Sequence, residues 1–311
     1  MIVREKPGVF AIFLVFRRRD GSILPRIYPQ LLLVIGLSAL VVWGHRDFPH
    51  LVPVVSSAPF ALIGIALSIF LGFRNNACYD RWWEARKQWG ALITACRDFG
   101  RQTLLLNGRA QDQGTAIREE LVNLAIGFTF ALLGHLRPSD DANRTLERLA
   151  PADRDAFQAS RNRPDFILRR MGEHLARARA DGVVSAVEFA LLDATISHMS
   201  AAMAACERLR TTPVPFAYTL LLHRTAYIFC FLLPFGFADL LGWLAPLAAG
   251  IVAYTFFGLD TLGDELEEPF GDWPNDLPIA AMAETIAINL REALGERDLP
   301  PLPVPVGFVL M

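Results

Sequence analysis

Lysine is almost missing from this 311-residue sequence. Lys6 and Lys87 are its whole complement, and arginine supplies the rest of the 30 basic residues. Against 32 acidic residues the formal charge is −2. The chain therefore lacks the basic excess that neutralises phosphates, and no nucleic-acid partner is expected. Cysteine is scarce too. Cys78, Cys96, Cys206 and Cys230 form no C-x-x-C pair, which argues against zinc-ribbon and thioredoxin-like chemistry and leaves buried, reduced thiols. No HExxH, GxSxG, P-loop or GxGxxG occurs in a usable context, and His135, His174, His198 and His223 show no ligand spacing. No enzyme is expected. Strand-like runs and repeats of fixed period are also missing, so the expected class is all-α.

What is present is apolar. The chain is 53% hydrophobic and 20% charged, with a mean hydropathy of +0.32. That combination is too apolar for an ordinary soluble domain and too charged for one confined to lipid. Ile27 to Gly44 and Leu51 to Phe73 carry no charge, and Thr225 to Leu259 carries only Asp239. A bilayer span needs roughly 20 apolar residues, so the third stretch holds two spans, turning near Asp239, Gly242 and Trp243. The expectation is four transmembrane helices in two hairpins.

Charge orients them. Arg17, Arg18, Arg19 and Arg26 precede the first span, and Arg74, Arg81, Arg86 and Lys87 follow the second. The connection between these spans has Arg46 and two histidines, and the turn in the second hairpin has no Lys or Arg. The excess of basic residues places both termini in the cytoplasm. Val9 to Phe16 is a short apolar run followed, not preceded, by basic residues. It reads as an interfacial helix rather than a cleavable signal. The resulting divisions are 1–26 interfacial, 27–73 first hairpin, 74–224 cytosolic helical region, 225–259 second hairpin and 260–311 an acidic, Pro-rich cytosolic end. In the cytosolic region Ile117 to Leu136 and Val183 to Leu209 read as long helices. Val187, Leu191, Met199, Met203 and Cys206 recur there at helical spacing and are expected in the core.

The stretch GIALSIFLGFRNNACYDRWWEARKQWG, Gly64 to Gly90, passes from a membrane-like to a charged helix without a turn signal. Ile65, Ile69 and Phe73 lie at i, i+4 and i+8, one stripe on one face. Small residues Gly64, Ala66, Ser68 and Gly72 alternate around them and permit close helix approach. Copies of this helix around an axis would make a narrow, dry ring that gates by dewetting. The same stripe also suits lipid contact or packing within one chain. Beyond it, Asp80, Arg81, Glu84 and Arg86 are spaced for ion pairs between neighbouring turns.

Three blocks carry a resemblance: APFALIGIALSIFLGFRNNACYDRWWEARKQWG, CERLRTTPVPFAYTLLLHRTAYIFCFLLPF and DTLGDELEEPFGDWPNDLP. In composition, order and spacing they resemble the bestrophin family, in its bacterial branch, over nearly the whole chain. The resemblance implies a homopentameric channel of the bacterial inner membrane, with membrane lipid and permeant ions as its other partners. It implies that Ile65, Ile69 and Phe73 form the neck of a central pore. It places a second, cytosolic aperture at Leu175 and a vestibule beyond Arg74, with Asp80 and Glu84 as further vestibule charges. Eukaryotic members hold calcium around the PFG motif, here Pro269 to Gly271. The weak candidates on this chain are Glu268, Asp272 and Asp276, because Trp273 and Pro274 interrupt the carboxylate run. No cofactor is required. Bacterial members are associated with monovalent cations and eukaryotic ones with anions. The branch resemblance, the aliphatic Ile65 and Ile69, and the acidic cytosolic half favour Na+ and K+. An anion channel of the same architecture and a non-conducting scaffold are the alternatives.

Overall fold

A computed structural model describes residues 1–3, 22–50, 55–110, 112–138 and 143–310. Val9 to Phe16 and Arg17 to Arg19, read above as an interfacial helix, lie outside the described residues. Ten α-helices follow in order among the described residues: α1 Leu24–Asp47, α2 Ala58–Gln102, α3 Gln113–Leu136, α4 Asn143–Leu146, α5 Pro151–Ala159, α6 Arg163–Ala180, α7 Ala186–Thr211, α8 Phe216–Leu241, α9 Ala245–Glu267 and α10 Ile279–Ala293. The only β pairing among them consists of isolated bridges near the chain ends. The all-α expectation therefore agrees with the structure.

Prolines open several helices at positions where a missing N–H costs nothing: Pro25 in α1, Pro59 in α2 and Pro246 in α9. The turn between α8 and α9 falls at Gly242, whose φ of 50° and ψ of −131° a side chain rarely tolerates. The α8–α9 pair reaches further than the sequence suggested, starting at Phe216 and ending at Glu267. By length and composition four helical stretches are apolar enough to cross a membrane: Leu24–Asp47, Ala58–Leu106, Ala186–Thr211 and the segment Phe216–Glu267, which contains α8 and α9.

Packing separates two layers. The upper core joins α1, the first half of α2, α8 and α9 through Ile27, Val34, Leu67, Leu71, Phe229 and Phe257. The lower core joins the second half of α2 to α3, α6, α7 and α10 through Trp89, Phe99, Leu132, Met171, Met199 and Leu290. Helix α7 belongs to the lower core despite its apolar composition. Its burial also corrects the proposed stripe. Met199, Met203 and Cys206 are buried, but Val187 and Leu191 are exposed, and Leu192 and Ile196 take their place. The apolar period holds, yet its phase shifts in the first turns, where nothing packs on that side. All four cysteines are buried and unpaired.

Helix α2 has 45 residues. At 1.5 Å per residue it is about 68 Å long, more than twice the roughly 30 Å hydrocarbon thickness of a bilayer. One helix therefore links the two layers. The chain ends also meet: Val3 N–H donates to Phe308 O at 2.8 Å, and Ile2 bridges Val309. Both ends consequently lie on one side of the molecule.

Candidate ion pathway

The upper half of α2 buries one face and leaves much of the other exposed. Leu67, Leu71, Arg74 and Cys78 point into the subunit and are buried. Ile65, Ile69 and Phe73 point away, with 60%, 52% and 62% of their surface exposed. The spacing is the cause. At 100° per residue, steps of four keep the three side chains within about a quarter turn, roughly opposite Leu67 and Leu71. Gly64 lets Phe229 of α8 approach, since a Cβ there would lie 3.2 Å from the ring. Gly72 has no neighbour within 4 Å of such a Cβ. An apolar groove of about 620 Å³ runs between α2 and the α8–α9 pair, with Phe60, Ile65, Ile69, Phe229 and Phe256 on its walls.

Arg74 is not a vestibule charge. It is wholly buried where the two cores meet. Its Nη1 donates to Asp260 Oδ1 at 2.9 Å, and its Nη2 reaches Asp264 and, at 3.7 Å, Glu267 Oε2. Asp260 is itself buried and pairs on its other oxygen with His223 Nδ1 at 2.6 Å. The first charge after the apolar run of α2 thus meets the first charges after the apolar run of α9. Sequence reasoning missed this pairing because Arg74 and Asp260 are far apart in the chain. The signal was that each is the first charge after a span.

The charges of the lower α2 also differ from expectation. Arg81 does not pair along its helix. It donates to the carbonyls of Leu209 and Thr212 at the end of α7, and to Glu267 O at 3.2 Å at the end of α9. There it meets the negative end of two helix dipoles. Glu84 pairs with Lys87 at 2.8 Å and with Gln88, and is partly covered. Asp80 is exposed and has no ion-pair partner among the described residues. It follows Phe73 by two turns, on the same face of α2.

The acidic block is a set of clamps. Glu265 binds Arg26 at 2.7 Å and Asn275 Nδ2 at 2.6 Å, while Arg26 lies over the Trp273 ring. The PFG turn closes around Arg137, the residue after α3, which donates to Phe270 O, Gly271 O and Leu277 O and pairs with Asp272 at 3.1 Å. Asp276 is buried and accepts from Trp273 N–H at 2.7 Å. Gly271 is needed here, since a Cβ would meet Asp276 Oδ2 at 2.5 Å. Burial pushes the Asp276 carboxyl up to about 7, against the Trp273 N–H, which lowers it. Glu268, Asp272 and Asp276 therefore do not fit calcium. Arg137 holds one, a backbone N–H another, and Glu268 faces solvent. Among the described residues no three His, Cys, Asp or Glu side chains stand together as a metal site.

Leu175 is also corrected. It is fully buried in the lower core on α6, and a side chain that lines an aperture must face solvent.

Comparison with known proteins completes the picture. The family model described as Bacterial/Fungal Bestrophin protein matches residues 1–292. The voltage-dependent anion channel-forming protein mll4386 of Mesorhizobium japonicum is 41% identical over 97% of this chain and 95% of its own length. YneE of Salmonella typhi, named in the same way, is 39% identical over 98% of both chains. The crystal structure of a bacterial bestrophin homolog from Klebsiella pneumoniae superposes with a TM-score of 0.82 at 36% identity, covering 87% of this chain and 99% of that one. A helical chain with four apolar candidate spans, matched end to end in this way, belongs to the bestrophin family of membrane ion channels, in its bacterial and fungal branch.

Proposed function

We propose that several copies of this chain, five by family resemblance, surround one pore in a bacterial inner membrane, and that monovalent ions cross it passively. Ile65, Ile69 and Phe73 form the neck. The observation that carries this is the two-sidedness of α2: more than half of the surface of each stripe residue is exposed, Ile65 and Ile69 beside the groove to α8 and α9, while Leu67, Leu71 and Arg74 are buried. Leu32, Leu33 and Leu40 of α1 and Leu247 and Ile251 of α9 are exposed apolar side chains suited to lipid. The α2 stripe differs because it runs directly into Asn76 and Asp80 on the same helix face, as a lining that leaves the bilayer does. Both termini lie in the cytoplasm, in keeping with their contact and with the arginines flanking the spans.

The permeant ions are anions. This replaces the cation preference drawn from the sequence. The relatives' names support it, and the acidic block that was to concentrate cations is largely neutralised by Arg26, Arg74 and Arg137. A cation reading keeps one observation in its favour, the unpaired Asp80 two turns below Phe73. The reversal potential of the purified protein in a planar bilayer under a NaCl gradient decides. A value near the chloride Nernst potential supports anions. A value near that of sodium overturns the anion reading. No current, even with Ile69→Ala, favours a non-conducting scaffold.

A further inference from the structure

A cavity of about 400 Å³ lies in the lower layer, away from the α2 stripe. The end of α3, helix α5, the link into α6 and the last turn of α7 enclose it. Its lining includes Phe130, Phe157, His135, Arg161, Arg163 and Arg210.

Three of the lining residues are solvent-exposed arginines. Elsewhere in the chain arginines are mostly engaged: Arg26, Arg74, Arg109, Arg137, Arg144 and Arg170 all hold carboxylates. Arg161 and Arg210 have neither an ion pair nor a side-chain hydrogen bond among the described residues. Arg163 has only the Phe157 ring, 5.7 Å from its guanidinium carbon. Three exposed guanidinium groups without a carboxylate partner among the described residues thus line one cavity. Like charges gathered in this way repel, and among the described residues the acid beside them is Glu207, already bound by Asn162 Nδ2 at 2.9 Å and 3.4 Å from His135. His135 adds no fixed charge. Burial lowers its pKa, with Arg210 acting in the same direction and Glu207 opposing.

We propose that this cavity binds a small organic anion, an oxyanion head of phosphate or carboxylate type on a flat apolar body. Guanidinium groups match the planar, two-oxygen edge of such a head. Ala131, Pro138 and the largely buried rings of Phe130 and Phe157 provide the apolar wall, with Arg144 over the first ring and Arg163 over the second. The volume falls in the range of small-molecule sites, about 300–1,000 Å³. The site is separate from the conducting stripe, so the proposal does not depend on the channel reading.

The test is calorimetric titration of the full-length protein in detergent with phenyl phosphate, with phenol and inorganic phosphate as comparison probes. Saturable binding of phenyl phosphate is expected, tighter than either comparison. In the variant Arg161→Gln/Arg163→Gln/Arg210→Gln affinity should fall at least roughly tenfold, as loss of charge-assisted contacts implies. Arg297→Gln, which removes an exposed charge outside the cavity lining, should leave it unchanged. The single variants Arg161→Gln and Arg210→Gln give the same readout if the triple variant does not elute as the native assembly. No saturable binding, equal affinity in the cavity variants, or equal loss in Arg297→Gln overturns the proposal. Phenol binding as tightly as phenyl phosphate also overturns it, because the guanidinium groups would then play no part.

Discussion

Replacing Arg74 by methionine tests the junction between the two layers. The variant keeps the length of the stem and removes the charge. It leaves Asp260 buried with His223 as its remaining side-chain partner. Asp264 is partly exposed and loses little, since water replaces its partner. Glu267, the more distant partner, keeps the Val214 N–H at 3.1 Å, so the cost is chiefly that of the buried Asp260 carboxylate. Breaking a buried pair from one side costs about 3–5 kcal/mol, and the retained His223 contact places this case near 3. A kilocalorie shifts Tm by roughly 2–4 °C in chains of 150–250 residues and by less in longer ones, so a fall of about 5–10 °C is expected. Thermal unfolding followed by tryptophan fluorescence in detergent measures it, with Trp82, Trp83 and Trp89 on the same helix as reporters. The double variant Arg74→Met/Asp260→Asn should recover a good part of the loss, because the most deeply buried of the carboxylates that lose Arg74 is then neutral. A shift within about 2 °C for the single variant would mean that Arg74 is effectively solvated. A double variant that is worse than Arg74→Met would refute the argument from an orphaned charge.

Three further outcomes are expected. Ile69→Ala should widen the proposed dry ring and raise single-channel current severalfold; an unchanged current counts against the neck assignment. The Asp276 carboxyl, raised from 3.8 to about 7 in the fold, holds its proton more tightly folded than unfolded. Its contribution is full below about pH 4 and is lost as pH rises through 7, up to about 4 kcal/mol at 1.36 kcal/mol per unit. Thermal stability of Asp276→Asn should therefore lack this decline between pH 4.5 and 8, and parallel curves for variant and parent would refute it. Ser185→Ala removes the capping box at the start of α7, where Ser185 Oγ accepts from Glu188 N–H and Glu188 accepts from Ser185 N–H at 2.9 Å. It should cost about 1 kcal/mol in denaturant unfolding, and a loss below a few tenths would show that tertiary packing alone holds that end.

The sequence by itself determined the helical class, the apolar spans, the turn at Gly242 and the alignment of Ile65, Ile69 and Phe73 on one helix face. These follow from hydrophobic period, run length and backbone preference, all local properties of the chain. The outcome at each charged position needed the tertiary structure. Arg74 and Asp80 are the first two charges beyond the apolar run of α2, yet one is buried against Asp260 and the other faces outward. The helix wheel gives the angle of each side chain but not which sector a neighbour covers. Leu175 shows the same limit, since its helical spacing suits a core or an aperture equally and only the packing of α6 on α3 and α7 buried it. The acidic block reads as cation-binding until Arg26, Arg74 and Arg137, distant in the chain, are seen to occupy it. Charge pairing is set by distance in space, and that is the quantity a linear pattern does not carry.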